Sequence, residues 1–120
     1  MSLIDGPYMP FLERYLDLAS FRQTLVSANI ANLDTPGYQT VDVGFQSELQ
    51  WASFSNFDVP TRPVVRHVYG LMARPDGNNV SLDRESLLLS ETQLQYKTAI
   101  DFLRSEFRRM LGAINDGKET

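Results

Sequence analysis

The stretch SANIANLDTPGYQT, Ser27 to Thr40, decides the architecture. Its first half continues a helical pattern and its second half stops it. Ser27, Ala28 and Ala31 are small, so another backbone can approach closely. Asn29 and Asn32 lie three residues apart, hence on one side of a helix. Asn tolerates the left-handed conformation used at helix C-terminal caps, so Asn32 or Leu33 is expected to end the helix. Pro36 and Gly37 suit the two central positions of a type II turn, flanked by Thr35 and Tyr38. Nothing here supplies a nucleophile, a base or an oxyanion site. The stretch reads as a joint rather than a catalytic loop.

Upstream, residues 10–33 read as one helix, with Pro10 tolerated in its first turn. Leu12, Leu16, Ala19, Gln23, Val26, Ile30 and Leu33 recur at alternating spacings of four and three, a heptad seam that only Gln23 interrupts. Downstream, residues 81–115 read as a longer helix. Its seam is Leu89, Gln93, Tyr96, Ile100, Leu103, Phe107, Met110 and Ile114, again with one glutamine. Ser81 is the expected N-cap, Asp83 and Glu85 place negative charge in the first turn, and Gly117 is the expected stop. Either glutamine sits at the edge of its stripe or fixes register and partner choice.

Residues 34–80 form a turn-rich middle punctuated by Pro36, Pro60, Pro63, Pro75, Gly70 and Gly77. VDVGF and VVRHVYGLM are expected as short strands at most. The fold class is therefore mainly α, with long N- and C-terminal helices packed as an antiparallel coiled-coil-like pair around an irregular or short-strand middle, in one domain spanning 1–120. Two helices alone bury little surface. Neighbouring chains are expected to cover the remaining apolar stripe.

Bulk properties remove several function classes. The 120 residues carry a net charge of −4, a poor match to a nucleic-acid clamp. There is no cysteine and only one histidine, His67, which leaves no thiolate or multi-histidine metal site. The segment MSLIDGPYMPF has neither the basic nor the apolar region of a cleaved signal, and no apolar run is long enough for a transmembrane helix. Phosphate-cradling glycine motifs and nucleophile elbows are missing. DGNNVSLDRE resembles a calcium loop but has Ser81 at its sixth position and Leu87 at its twelfth, where Gly and Glu are needed. Arg104, Arg108 and Arg109 read as a solvated helix face, or as a contact for lipid or another chain. No catalytic residue, cofactor, small-molecule substrate or metal ligand is expected.

SANIANLDTPGYQTVDVGF resembles the N-terminal signature of the bacterial flagellar axial proteins, which include rod, hook and hook-associated subunits. In that family a helix runs into an Ala-Asn-(Ile/Leu)-Ala-Asn motif and a short turn, carried here by Asn29, Ile30, Ala31, Asn32, Thr35, Pro36, Gly37 and Tyr38. The segment Asp76 to Ile114 is similar to the C-terminal half of the proximal members of the basal-body rod protein family. Those chains commonly continue after the Tyr with Ala-Arg-Asp. Here Thr40-Val41-Asp42 keeps only the acid. The resemblance implies a structural, self-assembling subunit in the periplasmic rod, exported by the flagellar type III apparatus without a cleaved signal. It implies partners among other rod subunits and copies of itself, the adaptor FliE, and the MS-ring and export-gate components. Two rivals share some of these features: a cytoplasmic helical-hairpin adaptor or chaperone, and a small enzyme using carboxylates of the middle segment.

Overall fold

The computed structural model describes residues 8–54 and 62–119, with side chains through 115. Residues 1–7, 55–61 (Pro60 among them) and 120 lie outside the described residues. The elements run α1 (Met9–Ala31), β1 (Val41–Val43), α2 (Phe45–Phe54), β2 (Val65–His67) and α3 (Leu82–Glu119). The molecule is elongated, 72 × 27 × 17 Å. Helix α1 is the central element: α3 packs along one side, and α2 with β1 packs on another.

The two long helices are antiparallel. The ring of Tyr8, at the start of α1, meets Phe102 edge-on at 5.8 Å. The far end of α1 lies beside the start of α3, where Asn78 donates to the Asn32 carbonyl. Helix α3 has 38 residues, about 57 Å at the usual rise. It passes through Gly117 to Glu119, beyond the expected stop. Ser81 caps its start, its hydroxyl accepting from the Arg84 N–H at 3.2 Å.

Burial along α1 follows the expected seam in part. Leu12, Ala19 and Val26 are buried, while Leu16, Gln23 and Ile30 are half-buried. On α3 the buried row is shifted by one residue. Glu85, Leu88, Thr92 and Ala99 face α1. Leu89, Tyr96, Leu103 and Met110 flank that row half-buried, and Gln93, Ile100, Phe107 and Ile114 are exposed. The physical reason is close approach. Ala19 and Ala99 are small enough for tight helix contact, and Thr92 satisfies its buried hydroxyl on the Leu88 carbonyl at 2.7 Å. The larger apolar side chains fall on faces that nothing within the described residues covers.

The middle segment holds one helix that the sequence pattern did not announce. In α2, Phe45, Glu48 and Ala52 are buried and Leu49 half-buried, a one-sided stripe at helical spacing. The two expected strands pair antiparallel, Val41 opposite His67 and Val43 opposite Val65. Leu18, Ala19, Val43 and Phe45 form the core, with Tyr15, Phe21, Leu25, Leu49 and Tyr96 packed against it. Tyr15 meets Phe45 edge-on at 5.2 Å. Buried Glu48 ties three elements together. It accepts the Val64 N–H at 3.0 Å and faces the Arg14 guanidinium at 3.5 Å.

This placement separates two leucines by consequence. Leu18→Ala should cost about 2–5 kcal/mol, as truncation of a fully buried leucine does. Leu87→Ala, on the exposed side of α3, should stay within about 0.5 kcal/mol. Urea unfolding of the two variants measures both.

Candidate functional site: the joint at the end of α1

The stretch that stops α1 is where the chain's two halves lock together. The turn Thr35-Pro36-Gly37-Tyr38 closes with the Tyr38 N–H donating to the Thr35 carbonyl at 3.2 Å. Gly37 sits at φ +75°, as the second central residue of a type II turn requires. A second turn meets it. The Gly77 N–H donates to the Arg74 carbonyl at 2.8 Å, and Gly77 sits at φ +87°. The two glycines touch: a β-carbon on Gly77 would lie 3.4 Å from the Gly37 α-carbon. The Gly37 N–H donates to the Asp76 carbonyl at 2.9 Å.

Four asparagines stitch the joint. Asn29 is buried in the last turn of α1. Its amide donates to the Val41 carbonyl at 2.8 Å and its oxygen accepts the Val41 N–H at 3.1 Å. The side chain thus pairs with the first residue of β1 as a neighbouring strand would. The Tyr38 hydroxyl donates to the same oxygen at 3.0 Å. Asn32 donates to the Ala28 carbonyl at 2.7 Å and accepts from the Thr35 hydroxyl at 3.0 Å. Asn32 keeps φ −102°, outside the left-handed region. The backbone N–H groups of Asn32 and Leu33 cap the carbonyls of Ala28, Asn29 and Ile30, and side chains bind the carbonyls that follow.

Those side chains come from the segment before α3. Fully buried Asn78 donates to the carbonyls of Asn32 and Thr35, both at 2.8 Å, and its oxygen accepts the Val80 N–H at 2.8 Å. Asn79 accepts the Thr40 N–H at 2.7 Å and donates to the Gln39 side chain at 3.0 Å. Arg74 donates to the Val80 carbonyl at 3.0 Å and to the Leu33 carbonyl. Each amide saturates a backbone group that burial would otherwise strand.

Below the joint runs a chain of charges. Asp42 accepts two bonds from the Arg22 guanidinium, at 3.2 and 3.1 Å, and one from Arg84 at 2.7 Å. Arg84 reaches on to fully buried Glu85 at 2.7 Å. Burial by itself would raise the Asp42 carboxyl. The bonds from Arg22, the Val43 N–H and Arg84, with the Arg22 charge, outweigh it and hold the group below the usual carboxylate range. Burial, reinforced by the Glu85 charge, pushes the Tyr38 phenol up, so it stays a neutral donor to Asn29.

The structure brings Asn29, Ile30, Asn32, Thr35, Pro36, Gly37 and Tyr38 to the joint, while Ala31 is exposed on the other side of the last turn. His67 is exposed on β2, and Asp76 binds the Asn78 N–H at 2.9 Å as part of its turn. Arg104 and Arg108 are exposed on α3, and Arg109 pairs with Glu106 at 3.1 Å. Sequence reasoning missed Asn78, Asn79 and Arg74 as partners of the first turn, and the Arg22–Asp42–Arg84–Glu85 chain. Paired amides behind a Pro-Asp-Gly turn were the available signal for the first group. Nothing in the spacing reveals the second.

Two outcomes test this geometry. Asn29→Ala should strand the Val41 N–H and carbonyl, at about 1–3 kcal/mol for each buried group, and Asn29→Asp should recover only the acceptor half. Chemical denaturation of both variants measures this. For Asp42 the folded-state pKa is lowered. Its stabilisation is therefore present above about pH 4, the unfolded value, and is lost as pH falls through the lower folded value. Unfolding midpoints followed below pH 4 should fall more steeply in the unmodified chain than in Asp42→Asn.

Known sequences resemble this chain along most of its length. The family described as "Flagella basal body rod protein" matches residues 16–39, the second half of α1 and the first turn. The flagellar basal body rod protein FlgB of Salmonella typhimurium is 32% identical, covering 89% of this chain and 92% of its own length. FlgB of Bacillus subtilis is 31% identical, covering 98% of this chain and 100% of its own. FlgB of Buchnera aphidicola is 30% identical, covering 84% and 89%. With similarity of this extent running through both long helices and the joint between them, the chain belongs to the FlgB family of flagellar basal body rod proteins.

Proposed function

We propose that this chain is a structural subunit at the membrane-proximal end of the flagellar rod, built by helical self-assembly and linking the membrane ring to the distal rod. Its partners in this reading are other rod subunits, further copies of itself, the adaptor FliE, and ring and export-gate components. It reaches the periplasm through the flagellar type III apparatus without a cleaved signal. The motif residues Asn29 to Asn32 and Thr35 to Tyr38 act by fixing where α1 ends and how the outer segment leaves it. The seam residues of both helices act by packing, and no catalytic step is assigned to any of them.

The observation that carries this reading is the distribution of apolar side chains. Among the described residues, ten hydrophobic residues are buried, three of them alanines, while sixteen large ones are exposed. Phe107, Leu111 and Ile114 continue along α3 past Phe102, where it meets the start of α1. A chain that folds for its own sake does not leave so much apolar surface in water. A subunit covered by its neighbours does. A free-standing cytoplasmic adaptor gains nothing from that exposure, and no feature favours it.

Replacement of the resident proximal rod protein in a motile bacterium tests the reading. Restored swarming, with the chain recovered in purified basal bodies, is the expected outcome. Its absence from basal bodies would sink the proposal. Hydrogen exchange of the free chain adds a second check. Amides from Leu18 to Ala31 and around Asn78 should be protected, because α1 is packed on several sides there. Amides beyond Phe102 should exchange fast, because a solitary helix of roughly 15 residues is marginal in water.

A further inference from the structure

Between β1 and α3 the chain carries a surface unlike the rest of it. Residues 62–74, RPVVRHVYGLMAR, hold Arg62, Arg66, His67 and Arg74 and no acid, in a chain whose net charge is −4. Arg74 is spent on the joint. Arg62, Arg66 and His67 are exposed and have no ion pair among the described residues. The same arm displays Tyr69 at 92% and Met72 at 91% exposure.

The arm is held at both ends. Its base is fixed by the Val64 N–H on Glu48 at 3.0 Å and the Val68 N–H on the Thr40 carbonyl at 3.0 Å. Its far end is fixed by the Arg74 N–H on the Asn78 carbonyl at 2.8 Å. Tyr69 and Met72 are therefore presented on an anchored loop, which lowers the ordering cost of a contact.

A complementary surface lies on α3. Leu87 and Leu94 follow the buried Glu85 and Thr92 by two residues each, which places them about 200° round α3 from the packed face. They are 69% and 63% exposed. Asp83 and Glu91 flank them, both exposed and without an ion pair among the described residues. The arm offers apolar side chains beside unpaired cations. The outer stripe of α3 offers apolar side chains beside unpaired anions.

We propose that the arm of one copy docks on the outer stripe of α3 of the next copy, Tyr69 and Met72 packing on Leu87 and Leu94, with Arg62 and Arg66 facing Asp83 and Glu91. The inference rests on the rod-subunit reading and names the surfaces that join one copy to another. The two surfaces belong to different sides of one chain, so the contact is head-to-tail and propagates rather than closing into a dimer. Charge complementarity sets its direction, since an arm meeting an arm would oppose like charges.

The absence of cysteine makes the test direct. The full chain carrying Tyr69→Cys and Leu94→Cys is expressed in flagellated cells and oxidised. A ladder of dimers, trimers and longer species is expected, and none from a control carrying Tyr69→Cys and Ser20→Cys. All three positions are exposed, so folding is preserved. Asp83→Arg with Glu91→Arg should lower the ladder about two- to fivefold, the weight of exposed ion pairs, and adding Arg62→Glu should restore part of it. No ladder, an equal ladder from the control, or no response to the charge changes would overturn the contact. Basal bodies from the same cells separate the two readings. A ladder with the chain missing from basal bodies keeps the contact and removes the rod assignment. The chain present in basal bodies without a ladder does the reverse.

Discussion

The pairing of the Asn29 amide with the Val41 backbone is the constraint on which the rest of the structure hangs. A helix end leaves carbonyls without partners, and a strand start leaves both an N–H and a carbonyl. Asn29 occupies the helix and completes the strand at once. That fixes the distance between the last turn of α1 and the first residue of β1. The eleven intervening residues must then fold back within it, and Pro36 with Gly37 makes the reversal possible. Once β1 is placed, Val43 and Phe45 fall on Leu18 and Ala19, so the small core follows from the joint.

The chain returns to this point from the other direction. The second turn contributes Asn78, Asn79 and Arg74, and its Gly77 rests on Gly37. Two backbones this close leave no room for water, so their polar groups must be met by side chains. Hydrogen bonds of this kind add little net stability each, but they are directional and expensive to lose. They set an angle between α1 and α3 that a loose apolar contact would leave variable. The Arg22–Asp42–Arg84–Glu85 chain works in the same way beneath them. Buried ion pairs contribute modestly to stability, whereas a missing member leaves an uncompensated charge. Register is held by groups that tolerate few alternatives.

Much of this was legible before the structure. The helix stop, the type II turn, the two strands and the Ser81 cap are local features, and local chemistry announces them. The position of the α3 seam was not. Heptad counting favours the row with the largest apolar residues and selected Gln93, Ile100 and Phe107. The packed row is one residue away, where Thr92 and Ala99 let the helices approach. Periodicity shows that a stripe exists. It does not show which of two adjacent stripes meets a partner within the chain and which meets one outside it. Helix α2 was hidden for a related reason: its stripe of Phe45, Glu48 and Ala52 includes a carboxylate whose burial makes sense only beside Arg14 and the Val64 N–H. Asp42 stood out only as an acid kept within an altered tripeptide, and its two arginines are 20 and 42 residues away.

The misplaced seam also says what kind of protein this is. A heptad row in which every second member faces water in the single chain is a conflict between pattern and fold. In a self-contained domain that conflict would be a defect, because exposed Ile100, Phe107 and Ile114 invite indiscriminate association. It is resolved if the pattern is written for a packing that one chain cannot supply. The interior of the chain is then organised for precision more than for bulk: amides and ion pairs at the joint, small residues between the helices. Many of the large apolar side chains are left on the outside. A subunit whose angles are fixed by polar bonds and whose adhesive surface faces outward can be added to a growing helix repeatedly, each copy presenting the next with the same geometry.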